Sequence, residues 1–136
     1  MIRVRIAPSP TGLFHIGTAR TALYNYLFAK NKGGTFVYRV EDTDKERSTK
    51  EYEENITSGM FKMGLAPDEG IGLEKVGKFG PYRQSERTEI YKKYLKEIVD
   101  NDKAYYCFCT KERLDQMREA QAAAKQPPRY DGMCCK

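Results

Sequence analysis

The sequence predicts an α/β fold built on a parallel sheet and followed by a small sulfur-rich segment. A β-branched run, Ile2-Arg-Val-Arg-Ile6, leads through a Pro/Gly-stiffened stretch into a Gly- and Pro-free helical run. A second β-rich run then ends in an acidic turn. All four cysteines, Cys107, Cys109, Cys134 and Cys135, lie far from these elements, in the last stretch of the chain.

Each element has its own signal. Ile2–Ile6 reads as a buried strand. Ala19–Lys30 carries Ala19, Leu23, Tyr26 and Leu27 at helical spacing, and Gly33-Gly34 supplies its stop. Thr35–Val40 reads as the second strand. Strand–helix–strand is a βαβ unit, which requires a parallel pair with a right-handed crossover. Ser48 is expected to cap a helix running to Met63, with Glu51 completing a capping box and Gly64 ending the helix. Residues 64–80 are Gly-rich and read as a surface loop. Ser85–Asn101 reads as a helix burying Ile90, Tyr91, Tyr94, Leu95, Ile98 and Val99. Ala104–Phe108 is expected to be a strand, Thr110 to cap a polar helix reaching about Lys125, and Gln126–Cys135 to be a turn-rich loop. That loop would return two sulfurs towards the first pair.

Two conspicuous segments fall at the same edge of the expected sheet. The loop Ala7–Thr18 delivers His15 and Gly17 to the start of the first helix. There, unpaired N–H groups and a partial positive charge suit an anion such as a phosphate. Gly17 lets a ligand approach the backbone, and His15 can donate in either charge state. The turn Glu41-Asp-Thr-Asp44 follows the second strand, where ligands of open parallel sheets collect. The pattern points to a nucleotide site. Arg5 offers a planar fork for a carboxylate and Glu41 an anion for an ammonium group. Taken singly, Arg5 could equally be a solvated strand-end arginine, and Glu41 a turn carboxylate paired with Arg39 or Arg47. Asp42 and Asp44 could ligate a hard cation, but caps and salt bridges are the commoner use of such a turn.

Composition excludes several classes. The 136 residues suffice for one modest core, and no apolar stretch reaches the roughly 18 residues of a membrane span. A strand beginning at Ile2 leaves no room for a leader, so we expect a cytoplasmic protein with no membrane partner. Net charge is +5, from 24 basic and 19 acidic residues, compatible with a nucleic-acid partner without demanding one. Clustered cysteines fit a reducing compartment and a metal site better than a disulfide framework.

The string Arg5-Ile-Ala-Pro-Ser-Pro-Thr-Gly12, with His15-Ile-Gly-Thr18, resembles the signature of class I aminoacyl-tRNA synthetases, and of the glutamyl-tRNA synthetase family in particular. Thr18 stands where the general signature has a second His. Arg39-Val-Glu-Asp-Thr-Asp44 has the glutamate form of a segment that reads Asp-Asp-Thr-Asn in glutaminyl relatives. The resemblance implies the first half of a Rossmann-like nucleotide-binding domain over residues 1–103 and the start of a zinc-binding insertion over 104–136. It also implies that the chain is the N-terminal piece of a longer enzyme.

By the same resemblance, Pro10, Thr11, Gly12, His15 and Gly17 bind ATP, which arrives with Mg²⁺. His15, Gly17 and Thr18 serve catalysis, and Arg5, Ala7, Ser9 and Glu41 bind L-glutamate. The implied reaction is formation of glutamyl-adenylate and transfer of glutamate to the 3′ end of tRNA(Glu), by a monomer. Cys107, Cys109, Tyr130 and Cys134 match the zinc ligands of bacterial members, with Cys135 as the alternative fourth donor. Two other readings compete: a paralogue that attaches glutamate to a modified base of tRNA(Asp), and a non-catalytic zinc-bearing RNA-binding module. The 25-residue interval between Cys109 and Cys134 favours the ligase over the paralogue.

Overall fold

A computed structural model describes residues 1–73 and 77–135. Its elements are β1 (Arg3–Ile6), α1 (Ile16–Asn31), β2 (Thr35–Tyr38), α2 (Lys50–Lys62), β3 (Glu69–Gly70), α3 (Thr88–Asp100) and α4 (Lys111–Ala123). Short 3₁₀ turns cover Gln84–Arg87 and Met133–Cys135. The chain forms two compact units, Met1–Glu89 and Ile90–Lys136. The expected boundary at 103/104 falls after α3, whereas this division falls within it.

In the first unit the sheet has the order β1-β2-β3 with every pairing parallel. Arg3 to Ile6 pair in register with Thr35 to Tyr38, and Val37 and Tyr38 pair with Glu69 and Gly70. This is the βαβ unit that the sequence predicts, in a Rossmann-like parallel arrangement. Phe36, Val37 and Tyr38 are all buried, as expected of a central parallel strand covered on both faces. Phe36 and Tyr38 join Ile6, Ala22, Ala29, Val40, Ile56, Met60 and Leu65 in one core.

Several expectations need correction. In α1, Ala19, Ala22 and Ala29 are buried, and Tyr26 meets the Phe36 ring edge-on at 5.7 Å. The small residues let the helix approach the sheet closely, which turns Leu23 and Leu27 outward. Strand β2 stops at Tyr38, and Val40 makes an isolated parallel bridge with Arg83. The cap of α2 is Thr49, whose hydroxyl accepts from Tyr52 N at 3.2 Å. Ser48 is instead drawn into the preceding turn, its amide donating to Asp44 O. The expected loop 64–80 contains β3, and its residues 74–76 lie outside the described residues.

In the second unit no described residue is buried, so the expected stripe of α3 is exposed or half-exposed. Residues 104–108 form no strand, because no neighbouring strand is present among the described residues to share their backbone hydrogen bonds. Thr110 does cap α4, accepting from Arg113 N. Among the described residues no helix is long and apolar enough to cross a membrane.

Candidate functional site

The loop between β1 and α1 is pinned from two sides. Proline lacks a backbone donor but keeps its carbonyl. Pro8 O accepts from Glu41 N at 3.0 Å, and Pro10 O from Thr49 N at 3.0 Å. Further along, Phe14 N donates to Asn55 Oδ1 at 2.9 Å, and the Phe14 ring lies against α2 at Gly59. A Cβ on Gly59 would stand 2.4 Å from that ring, so glycine is what admits it. The loop therefore spans from the end of β2 to the middle of α2 without regular structure of its own.

At the start of this loop Arg5 Nη1 donates to Glu41 Oε1 at 2.6 Å, and Arg39 Nη2 donates to the same oxygen at 3.0 Å. Partial burial pushes the Glu41 carboxyl up, but the hydrogen bonds from Arg5 and then Arg39 outweigh it and hold the group below its ordinary range. Glu41 is thus firmly an anion. Ala7 is partly buried in the loop, and Ser9 is exposed, its hydroxyl unpartnered among the described residues. Of the expected pairings, Glu41 makes the salt bridge to Arg39, and it makes a second one to Arg5.

At the far end of the loop His15 is the N-cap of α1, its Nδ1 accepting from Gly17 N at 3.1 Å. Because Nδ1 accepts, the neutral ring carries its proton on Nε2, which lies 3.3 Å from Thr18 Oγ1. A Cβ on Gly17 would meet the ring at 2.9 Å, so Gly17 makes room for the cap. Thr11 and Gly12 are partly buried and Pro10 is buried beneath them. Helix N-terminal amides and an exposed imidazole N–H in one place can bind and stabilise phosphate charge.

The acidic turn is fully engaged. Asp42 accepts from Ser85 N at 2.9 Å and Ser85 Oγ at 2.6 Å, and Asp44 pairs with Arg47 at 2.5 Å. Both carboxylates act as ties within the fold, and neither belongs to a metal-sized group among the described residues.

In the second unit Cys107, Cys109 and Cys134 place their sulfurs within 4.8 Å of one another. Tyr130 Oη lies 3.6 Å from Cys107 Sγ and 3.3 Å from Cys109 Sγ, and it accepts from Cys134 N at 3.0 Å. Cys135 stands outside this group. Hydrogen bonds from Tyr130, then from Phe108 N and Cys109, pull the Cys134 thiol down to about 7. Arg113 Nη1 donates to Cys109 Sγ at 3.3 Å while its other end pairs with Asp131. Three soft sulfur donors with a phenol oxygen beside them fit the donor set of a structural zinc ion, and the Arg113 guanidinium hydrogen-bonds one of those sulfurs from outside the set.

Sequence reasoning missed Asn55 and Gly59, which hold Phe14, and Thr49, which holds Pro10. Their roles depend on which face α2 turns to the loop, and no short-range pattern reveals that.

The family model described as tRNA synthetases class I (E and Q), catalytic domain, matches residues 1–136. The chain is 56% identical over 133 residues to the glutamate–tRNA ligase of Rhizobium meliloti (strain 1021), a match covering 98% of this chain and 27% of that protein. It is 53% identical over 139 residues to the glutamate–tRNA ligase of Clostridioides difficile (strain 630), covering 98% and 28%. A crystal structure of a glutamate tRNA ligase from Elizabethkingia meningosepticum CCUG26117, in complex with its amino acid, superposes with a TM-score of 0.82 at 48% identity. That match covers 92% of this chain and 24% of the other. The chain spans about a quarter of the length of the relatives it matches.

Proposed function

Because the chain belongs to the family of class I tRNA synthetases for E and Q, within its catalytic domain, we propose that it supplies the glutamate- and ATP-binding loop of a glutamate–tRNA ligase. The ligase activates L-glutamate with ATP and transfers it to the 3′ end of tRNA(Glu), in the cytoplasm and as a monomer. The observation that carries this reading is the Arg5–Glu41 pair at one end of a pinned loop whose other end is the His15-capped start of α1.

In the first step a glutamate α-carboxylate oxygen attacks the α-phosphorus of ATP. A phosphorus–oxygen bond forms, the bond to the bridging oxygen breaks, and pyrophosphate leaves with that electron pair. The substrate is itself the nucleophile, so the protein's task is placement and charge stabilisation. Arg5 would take the side-chain carboxylate, Glu41 the ammonium group, and Ser9 and the Ala7 backbone the remaining polar contacts. His15 Nε2–H, Thr18 and the amides around Gly17 would bear on the phosphates, over the loop formed by Pro10, Thr11 and Gly12. Magnesium would enter with ATP. Zinc, held by Cys107, Cys109, Cys134 and Tyr130, would supply folding energy to the second unit and take no part in the reaction.

The test is ATP–pyrophosphate exchange by the full-length protein with glutamate and tRNA(Glu) present. His15→Ala should slow it at least ~100-fold, the scale of losing one well-placed donor to developing charge. Exchange at the wild-type rate in that variant would overturn the assignment of His15.

A further inference from the structure

We propose that Arg39 is a positioning residue for glutamate: it retains Glu41 when Arg5 leaves that carboxylate for the side-chain carboxylate of the substrate. The inference rests on the glutamate site described under the proposed function and adds to it a group that makes no contact with substrate.

The Arg5–Glu41 pair sets two substrate-binding groups against each other. Arg5 already holds Glu41 at 2.6 Å, so the cation meant for the substrate is engaged by the anion meant for the substrate. Glutamate can enter only if the pair separates. When it does, Glu41 loses its shorter hydrogen bond and a new carboxylate arrives beside it. An anion in that position would follow Arg5 or repel the incoming group, unless a second cation stays behind.

Arg39 is placed to be that cation. Its Nη2 donates to the same Oε1 atom at 3.0 Å, and Oε2 takes no partner among the described residues, leaving it for an ammonium group. The two arginines differ in freedom. The Arg5 side chain is 41% exposed and that of Arg39 only 22%. Both backbones are held by the β1–β2 pairing, Arg5 opposite Val37 and Arg39 through its amide donating to Ile6 O at 3.1 Å, so the difference lies in the side chains. The more exposed Arg5 side chain is the one free to swing. Both arginines line one cavity of about 200 Å³, together with Arg3 and Arg87 and beside Val37 and Tyr82, and of these four arginines Arg5 and Arg39 are the two that hydrogen-bond Glu41 Oε1. Arg39 Nε is buried there without an acceptor, so the bond to Glu41 is the one polar contact its side chain makes among the described residues. The charged groups facing Glu41 are Arg5 from β1 and Arg39 from the end of β2.

The test uses the full-length protein and glutamate-dependent ATP–pyrophosphate exchange. Arg39→Gln should raise KM for glutamate about tenfold, the scale of one charge-assisted hydrogen bond at a partly exposed site. Its KM for ATP and its kcat should stay near wild type. Without Arg39 the Glu41 carboxyl rises, so the acidic limb of kcat/KM for glutamate should move to higher pH. Arg39→Lys should return that limb towards wild type, because charge is restored, while KM for glutamate stays several-fold high, because an ammonium lacks the planar fork.

Wild-type KM and an unmoved acidic limb in both variants would overturn the role. So would a KM for ATP rising in step with that for glutamate, which would mark general damage to the loop. If Arg39→Gln fails to fold, Arg39→Lys decides alone: raised KM for glutamate with unchanged KM for ATP supports the role, and wild-type values overturn it. A wild-type protein with no glutamate-dependent exchange would overturn the glutamate site itself, a failure distinct from a flat response at position 39.

Discussion

Phe36 and Met60 are fully buried in the first unit, Met1–Glu89, whereas no described residue of the second, Ile90–Lys136, is buried. The first unit is ordered by apolar burial around β2. The second leaves its aromatic and aliphatic residues exposed or half-exposed and brings together three sulfurs and a tyrosine. A short segment that cannot bury enough surface can substitute coordination for a core. The contrast teaches that the two units should respond to different insults.

The largest effect should come from breaking the sulfur group. Chelation of metal from the full-length protein, or Cys109→Ala, should abolish hydrogen-exchange protection over α4 and leave that of β2 and α1 intact. A structural zinc ion contributes on the order of 10 kcal/mol of apparent folding energy in small modules. Unchanged α4 protection in metal-free protein would erase the distinction between the units. Next, Phe36→Ala should cost about 3–5 kcal/mol in denaturant unfolding of the first unit, with zinc stoichiometry unaltered by metal analysis.

Gly59→Ala sharpens the comparison at the loop. Its new methyl displaces the Phe14 ring, so we expect a loss of about 1–3 kcal/mol together with a raised KM for ATP in steady-state exchange. A raised KM without loss of stability would mean that the loop, and not α2, absorbs the clash.

The smallest effect concerns Asp68, which accepts from Lys30 Nζ at 2.5 Å and Phe36 N at 2.8 Å. Burial pushes its carboxyl up, but the hydrogen bonds from Lys30 and Phe36 N outweigh that and leave it below the ordinary 3.8. A depressed carboxyl stabilises the fold above its unfolded value, and that contribution is lost as pH falls through the folded value. Asp68→Asn keeps an acceptor for Phe36 N but removes the charge. Thermal unfolding of the first unit should then depend less steeply on pH between about pH 5 and 3, by under about 1 kcal/mol for so exposed a pair.

The sequence made the βαβ unit legible, because β2 is a β-branched and aromatic run and Gly33-Gly34 ends α1 sharply. It concealed β3, a two-residue strand containing a glycine, which exists only because β2 offers it an edge. Ser48 and Thr49 are adjacent hydroxyl residues, so composition alone could not say which caps α2; the turn through Asp44 takes the first and leaves the second. Residues 104–108 have strand-like side chains, but a strand is a relation between two segments. At the site, Arg5, His15 and Glu41 were legible because they sit within a dense motif. Arg39 was visible only as a possible salt-bridge partner, since its position beside Arg5 follows from the parallel register of β1 and β2.

The capping hydrogen bond of His15 has one more consequence. Turning the imidazole over would put a carbon where Nδ1 now receives the Gly17 amide, so ring orientation and the first turn of α1 are mechanically coupled. Any anion that tugs on the opposite edge of the ring should therefore alter how fast the Gly17 amide trades its proton for deuterium. That single resonance would be a label-free gauge of occupancy.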